Sequence, residues 1–129
     1  MLDYGAGKGR LAQSIQPDHA IYVSQYDPCV EEISERPKPS EFVACVDVLE
    51  HIEPDCLDEV LDDLKMLTRR IGFFSVTEVP AKKTLSDGRN AHLIQESPEW
   101  WLPKIMQRFS LSKFIKLRTG FYVVVKNGD

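Results

Sequence analysis

The sequence predicts an α/β fold, a compact, doubly wound and mostly parallel sheet with a C-terminal antiparallel hairpin. Three observations predict it. A glycine-rich turn over 5–9 directly follows a short apolar run, as at the first strand of nucleotide-binding α/β domains. Later apolar runs of strand length alternate with segments of helical period. Finally, two apolar runs flank Arg118-Thr119-Gly120, which is typical of a hairpin.

Size and composition favour a single domain. The chain has 129 residues, of which 43% are hydrophobic, so we expect one domain over 1–129, either minimal or shortened at its N-terminus. No apolar run approaches the ~20 residues of a membrane span, and no signal peptide is visible. The three cysteines lack C-x-x-C spacing and are expected to be small buried hydrophobes. A cytoplasmic location is therefore expected.

The glycine turn has the spacing G-x-G-x-G, with Asp3 two residues before the first glycine. Glycines permit positive φ and bring backbone close to a ligand, and the helix that follows presents free N–H groups. The dinucleotide fingerprint would be G-x-G-x-x-G, but Arg10 stands where its third glycine would be. Asp3 would repel a pyrophosphate and suits a cation. The turn therefore predicts a nucleotide-like ligand that carries positive charge, and it disfavours a nicotinamide dinucleotide.

The remaining elements follow from periodicity and from capping residues. Pro54 suits a first helical position, and Ser97-Pro98 suits an N-cap followed by the first helical residue. Two apolar faces support these helices: Leu57, Val60, Leu61, Leu64 and Leu67, and then Leu102, Ile105, Met106 and Phe109. In chain order we expect a helix over 9–14, a strand over 20–26, a short helix over 29–35, a strand over 41–46, a helix from Pro54 to Leu67, a strand over 71–77, a helix from Pro98, and strands over 112–117 and 121–125. Trp101 is expected in the core and Trp100 on the surface, available for stacking.

Three acidic or basic groups follow predicted strands. Asp27 ends the second strand eighteen residues after Gly9, where an acid accepts from ribose hydroxyls, although it also suits a helix N-cap. Asp47 follows the strand over 41–46 and is either a ligand contact or a turn residue. His51 lies just beyond it and is a candidate base near neutral pH, or else a structural hydrogen-bonding group.

A long polar segment over 81–96 carries His92. Segments of this length in compact domains are commonly functional lids. His92 is therefore the second candidate base, with a plain surface histidine as the alternative.

The glycine turn and the string Val46-Asp47-Val48-Leu49-Glu50-His51-Ile52 together resemble two motifs of the class I S-adenosylmethionine (SAM)-dependent methyltransferases. The resemblance implies transfer of a methyl group from SAM to an O or N atom of an acceptor, with His51 and His92 as catalytic candidates. It implies that SAM is held by Asp3, Gly5, Ala6, Gly7, Gly9, Tyr26, Asp27, Asp47, Val48 and Leu49. Two departures stand out: the third strand of that fold and its helix have no room, and the N-terminal helix is nearly absent.

The acceptor and the reaction class stay open. Residues 1–64 hold four Lys/Arg and fifteen Asp/Glu, whereas residues 65–129 hold twelve Lys/Arg and five Asp/Glu. Because the basic second half would contain the acceptor side, this distribution favours an anionic small-molecule or nucleotide-containing acceptor. Nucleic acid is possible but not indicated. A non-catalytic SAM-binding module is the first alternative.

A metal-assisted ribose 2′-O-methyltransferase is the second alternative. Asp47, Glu50, His51 and His92 resemble the metal site of the small-RNA 3′-terminal 2′-O-methyltransferases. The same string also occurs in metal-free relatives, so we assign no metal ligand from the sequence.

Overall fold

The computed structural model describes residues 1–15 and 22–128. Within them, six strands form one sheet in the order β2-β1-β3-β4-β6-β5. The strands are β1 (Leu2–Tyr4), β2 (Ser24–Tyr26), β3 (Ser40–Val46), β4 (Thr68–Thr77), β5 (Ser110–Lys116) and β6 (Gly120–Lys126). The first four are parallel, while β6 runs antiparallel to both β4 and β5. The predicted fold class and its C-terminal hairpin are confirmed.

The helices are α1 (Arg10–Ile15), α2 (Leu57–Leu67) and α3 (Pro98–Met106). Residues of α2 and α3 form the hydrophobic core with the sheet. The leucines at positions 57, 61, 64 and 67 of α2 are buried, as their spacing predicts. They pack in one cluster with Phe74 of β4, Phe121 of β6 and Trp101 of α3. No helix in the described ranges is both long and apolar enough to cross a membrane.

The segment between β2 and β3 contains no strand, so the third strand of the class I methyltransferase fold is missing, as predicted. Only residues 27–39 join these two strands, and β2 is therefore an edge of the sheet. The short helix predicted over 29–35 is wrong: the structure has a single 3₁₀ turn, Glu31–Ile33, with no buried residue. Without an apolar face to pack, a helix this short does not repay its nucleation cost.

Three other expectations are corrected. The strand predicted from residue 20 begins at Ser24, and its predicted residues 20 and 21 lie outside the described ranges. Met106 is 52% exposed, because Trp101 and Ile105, four residues apart, form the buried face of α3 and turn Met106 outward. Only Cys45 is buried, whereas Cys29 and Cys56 are exposed in loop and turn segments.

Candidate functional site

A cleft lies at the carboxyl ends of β1, β2 and β3, and Gly5 and Asp47 divide it into two chambers. The charged chamber has a volume of about 370 Å³ and is lined by Asp3, Gly5, Ala6, Lys8, Arg10, Leu11, Val46 and Asp47. The apolar chamber has a volume of about 360 Å³ and is lined by Tyr4, Gly5, Asp27, Pro28, Cys29, Asp47, Val48, His51, Ile52 and Val60. Ligands of open α/β sheets bind at this edge of the sheet.

The glycine turn forms the partition of the cleft. Gly5, Gly7 and Gly9 all have positive φ, which non-glycine residues rarely adopt. At Gly5 a Cβ atom would lie 2.5 Å from Cγ2 of Val48, so the turn and the segment after β3 touch only because this side chain is missing. The Gly5 and Ala6 N–H groups both donate to the Tyr26 carbonyl oxygen, at 2.7 and 3.0 Å. These bonds fix the turn against the end of β2.

Asp27 ties the same turn to the segment that follows β2. Its Oδ2 accepts from the Gly7 N–H at 3.0 Å, and its Oδ1 accepts from the Cys29 N–H at 2.9 Å. These bonds close a turn, and Asp27 is not the helix N-cap that the sequence offered as an alternative, because the 3₁₀ turn begins at Glu31 and has no side-chain cap. A carboxylate has about four acceptor sites, so two such bonds leave capacity for ribose hydroxyls. The ribose contact stays a prediction.

Asp3 is buried beneath the charged chamber, with 4% of its surface exposed. Burial raises the pKa of Asp3, and the negative charge of Asp27 adds to this effect. A carboxylate in this position is stabilised by a cationic partner, which would reverse the shift.

Asp47 has an unusual backbone conformation. Among the described residues it is the one non-glycine residue with positive φ, at 54°. Ser75 and Thr77 of β4 hold its side chain: both hydroxyls donate to Oδ1 at 3.2 Å. The Asp47 N–H donates to Ser75 Oγ at 3.1 Å. Positive φ at a side chain other than glycine persists only where its surroundings enforce it, and such residues cluster at functional sites.

Glu50, His51 and His92 form a compact cluster beside the apolar chamber. One potential ligand atom from each lies within 4.8 Å of the others. The two imidazole rings meet edge to face, with centroids 4.7 Å apart. The side chain of His51 is exposed at the chamber wall; its partial desolvation lowers its pKa, and the neighbouring His92 adds to the shift. Burial raises the pKa of Glu50 to about 7, while the backbone N–H groups of Glu50 and Thr77 act against the shift without forming well-aligned bonds.

The segment over 81–96 brings His92 to this cluster. His51 Nδ1 donates to the Ala91 carbonyl oxygen at 3.1 Å, and the Ile94 N–H donates to the Glu50 carbonyl oxygen at 3.1 Å. Arg89 forms two hydrogen bonds with the carboxylate of Glu53, at 2.9 and 2.7 Å. Residues 89–94 of the segment are therefore fixed to the 3₁₀ turn Leu49–His51, which follows β3, and to Glu53 just beyond it.

No protein-family model and no curated protein matches the chain. Solved structures do match. An O-methyltransferase family protein from Burkholderia thailandensis aligns with a TM-score of 0.74 and 12% identity, over 99% of this chain and 50% of that one. The chain has the class I methyltransferase fold.

Two further neighbours carry ligands. The 1,6-didemethyltoxoflavin-N1-methyltransferase of Burkholderia thailandensis, with bound 1,6-didemethyltoxoflavin and S-adenosylhomocysteine (SAH), aligns with a TM-score of 0.65 and 18% identity, over 99% of this chain and 70% of that one. DhpI in complex with SAH aligns with a TM-score of 0.66 and 17% identity, over 98% of this chain and 76% of that one. At these identities the likeness is one of fold.

Within the class I methyltransferase fold, the predicted site residues fall into three groups. Asp3, Gly5, Ala6, Asp27, Asp47, Val48 and His51 line the cleft. Gly7, Gly9 and Tyr26 shape the turn through their backbone, and His92 reaches the cleft edge through His51. Leu49 lines neither chamber, because its side chain is fully buried in the hydrophobic core.

Sequence reasoning missed several residues of the site. Lys8 and Arg10 line the charged chamber, and their place inside the glycine motif was the available signal. Ser75 and Thr77, which hold Asp47, had no such signal, because the pairing of β3 with β4 is needed to bring them together. Trp100, expected on the surface, is half-buried against Trp101 and lies under the ammonium group of Lys104.

Proposed function

We propose that this chain binds SAM in the two-chambered cleft and transfers its methyl group to an O or N atom of a small-molecule or nucleotide-containing acceptor. The observation that carries the proposal is the division of the cleft by Gly5 and Asp47 into a charged and an apolar chamber. SAM has a matching division, because a zwitterionic amino-acid end and an adenosine end flank its sulfonium.

The charged chamber fits an amino-acid zwitterion. Asp3 and Asp47 offer carboxylates for an ammonium group, while Lys8 and Arg10 on the same wall offer cations for a carboxylate. A dinucleotide would place its pyrophosphate next to both acids, which is unfavourable. Gly5 lets the turn pack directly against Val48, where any side chain would clash, and this close contact forms the division between the two chambers.

The apolar chamber fits an adenosine. Val48, Ile52 and Pro28 supply apolar walls, and Asp27 lies at the end of β2 with acceptor capacity for ribose hydroxyls. Because β2 is the sheet edge, no further strand closes this chamber on its outer side. We expect the adenine ring to be held mainly by these apolar contacts.

Methyl transfer requires that the acceptor atom be positioned next to the methyl group of SAM and that a base take the proton that the acceptor loses. Bound SAM supplies an electrophilic methyl group with a neutral thioether as its leaving group. His51 lines the cleft, and its Nδ1 donates to Ala91, so Nε2 is free to accept the proton that the acceptor loses. The lowered pKa of His51 keeps its ring neutral near pH 7. His92, in contact with His51, is the second proton acceptor.

Calorimetric titration with SAM and SAH, followed by transfer of a labelled methyl group into a cell extract, tests the proposal. We expect saturable binding of both ligands and labelling of an acceptor. Asp47→Asn should weaken SAM binding, whereas Glu96→Gln, an exposed carboxylate change on the 81–96 segment, should not. Absence of SAM binding would refute the proposal, and binding without transfer would favour the non-catalytic SAM-binding module.

A further inference from the structure

We infer that Glu50, His51 and His92 form a binding site for a divalent first-row metal ion at the wall of the apolar chamber. The cluster joins a turn after β3 to a segment 40 residues further along the chain, at Ala91. It offers one carboxylate and two imidazoles, a donor set that suits ions such as Zn²⁺.

The unpaired state of Glu50 is the first independent support. Its side chain is 0% exposed, and neither carboxylate oxygen has a hydrogen-bond partner among the described residues. Buried polar groups are almost always paired, and a buried carboxylate without a partner is costly. A cation between Glu50 and the two histidines would supply the missing partner.

The orientation of the two imidazoles is the second support. His51 Nδ1 donates to the Ala91 carbonyl oxygen at 3.1 Å, and His92 Nδ1 donates to the Val79 carbonyl oxygen at 2.6 Å. Each ring therefore keeps its Nε2 lone pair free. Metal-binding histidines characteristically donate their other ring N–H to a carbonyl or carboxylate oxygen, which fixes the tautomer and the ring plane.

The distances require only a small contraction. Tetrahedral coordination with bonds of 2.0–2.1 Å places ligand atoms about 3.3 Å apart. One potential ligand atom from each of the three side chains lies within 4.8 Å of the other two, so each pair must approach by up to about 1.5 Å to bind one ion. Asp47 is not part of the cluster, because Ser75 and Thr77 hold its Oδ1.

Three protein ligands leave at least one coordination position open, as in catalytic rather than structural zinc sites. Because His51 lines the apolar chamber, that position would face the cleft. If the proposed function holds, on which this step rests, the acceptor atom is an oxygen. A bound metal would lower the pKa of a hydroxyl group of the acceptor, whose proton would pass to solvent water before methyl transfer, because the two imidazoles would then be ligands and not bases.

Titration of the chelator-treated protein with Zn²⁺, in the absence of SAM, tests the site. We expect one ion per chain, and Co²⁺ should give the visible absorption bands of tetrahedral coordination. Glu50→Gln and His92→Asn should each weaken Zn²⁺ binding by at least about tenfold, while Glu96→Gln leaves it unchanged. Circular dichroism confirms that each variant is folded.

Each outcome decides one claim. Failure of the folded wild-type protein to bind Zn²⁺ or Co²⁺, or equal Zn²⁺ affinity in the wild type and the Glu50→Gln variant, would overturn the metal site. A separate SAM titration in the presence of chelator reports on the proposed function alone. A protein that binds SAM but not Zn²⁺ would therefore refute the metal site and leave the proposed function intact. A protein that binds Zn²⁺ but not SAM would refute the proposed function and leave the metal site intact.

Discussion

Replacement of Gly5 by alanine should be the most damaging single change in the glycine turn. Two effects add. An alanine held at φ +78° incurs the left-handed penalty of about 1–2 kcal/mol. Its Cβ would also lie 2.5 Å from Cγ2 and 3.0 Å from Cγ1 of Val48, a stiff β-branched side chain, and overpacking of this kind costs about 1–3 kcal/mol. We expect a loss of about 2–5 kcal/mol in the free energy of unfolding.

Urea denaturation of three variants tests this calculation. Gly7→Ala and Gly88→Ala are matched controls, because both glycines have positive φ but a Cβ would meet no atom within 4 Å. They should lose only about 1–2 kcal/mol. In Gly5→Ala, displaced Val48 should also weaken SAM binding, whereas Gly88→Ala, in the 81–96 segment, should bind SAM normally. Equal stability of Gly5→Ala and Gly7→Ala would show that the contact with Val48 is not as close as described.

Three further predictions concern the core and the charged chamber. Leu61→Ala should lower the free energy of unfolding, measured by urea denaturation, by about 2–5 kcal/mol, because Leu61 is 0% exposed. Met66→Ala on the same helix is the control: Met66 is 70% exposed, so the change should be no more than about 0.5 kcal/mol. In Asp47→Asn the amide oxygen can still accept from Ser75 and Thr77, and asparagine tolerates positive φ, so little stability should be lost. The negative charge for the ammonium group of SAM is gone, so calorimetry should show a roughly 5–30-fold loss of SAM affinity. The affinity for SAM should fall as the pH falls through the pKa of Asp3, because protonation removes its negative charge. This pKa is raised, so the loss should begin at a higher pH than for an ordinary aspartate, and it should be missing from the pH profile of Asp3→Asn.

Local signals in the sequence were enough to predict the sheet and its helices. The α2 stripe and the Ser97-Pro98 start of α3 each depend on a few neighbouring residues, and both are confirmed. The absence of the third strand of the class I methyltransferase fold was predictable, because the segment between the second predicted strand and the strand over 41–46 is too short to hold it. The 3₁₀ turn Glu31–Ile33 and the outward position of Met106 were not, because both depend on which face finds a packing partner.

The candidate site was predictable where one motif carries it and not where two distant segments meet. Asp3 and the three glycines lie in a single run, and the structure places Asp3 in β1 and the glycines in the turn directly after it. The burial of Glu50 and the contact between His51 and His92 depend on the docking of the 81–96 segment on the turn after β3. Residue types alone contain no information about that docking.

A crystal structure of the protein with SAH tests the central claim most directly. We expect SAH in the cleft, with its amino-acid end between Asp3, Asp47 and Arg10, its ribose hydroxyls on Asp27, and its adenine against Val48 and Ile52. SAH bound elsewhere, or a cleft that stays empty in crystals grown with excess SAH, would contradict the proposed SAM site.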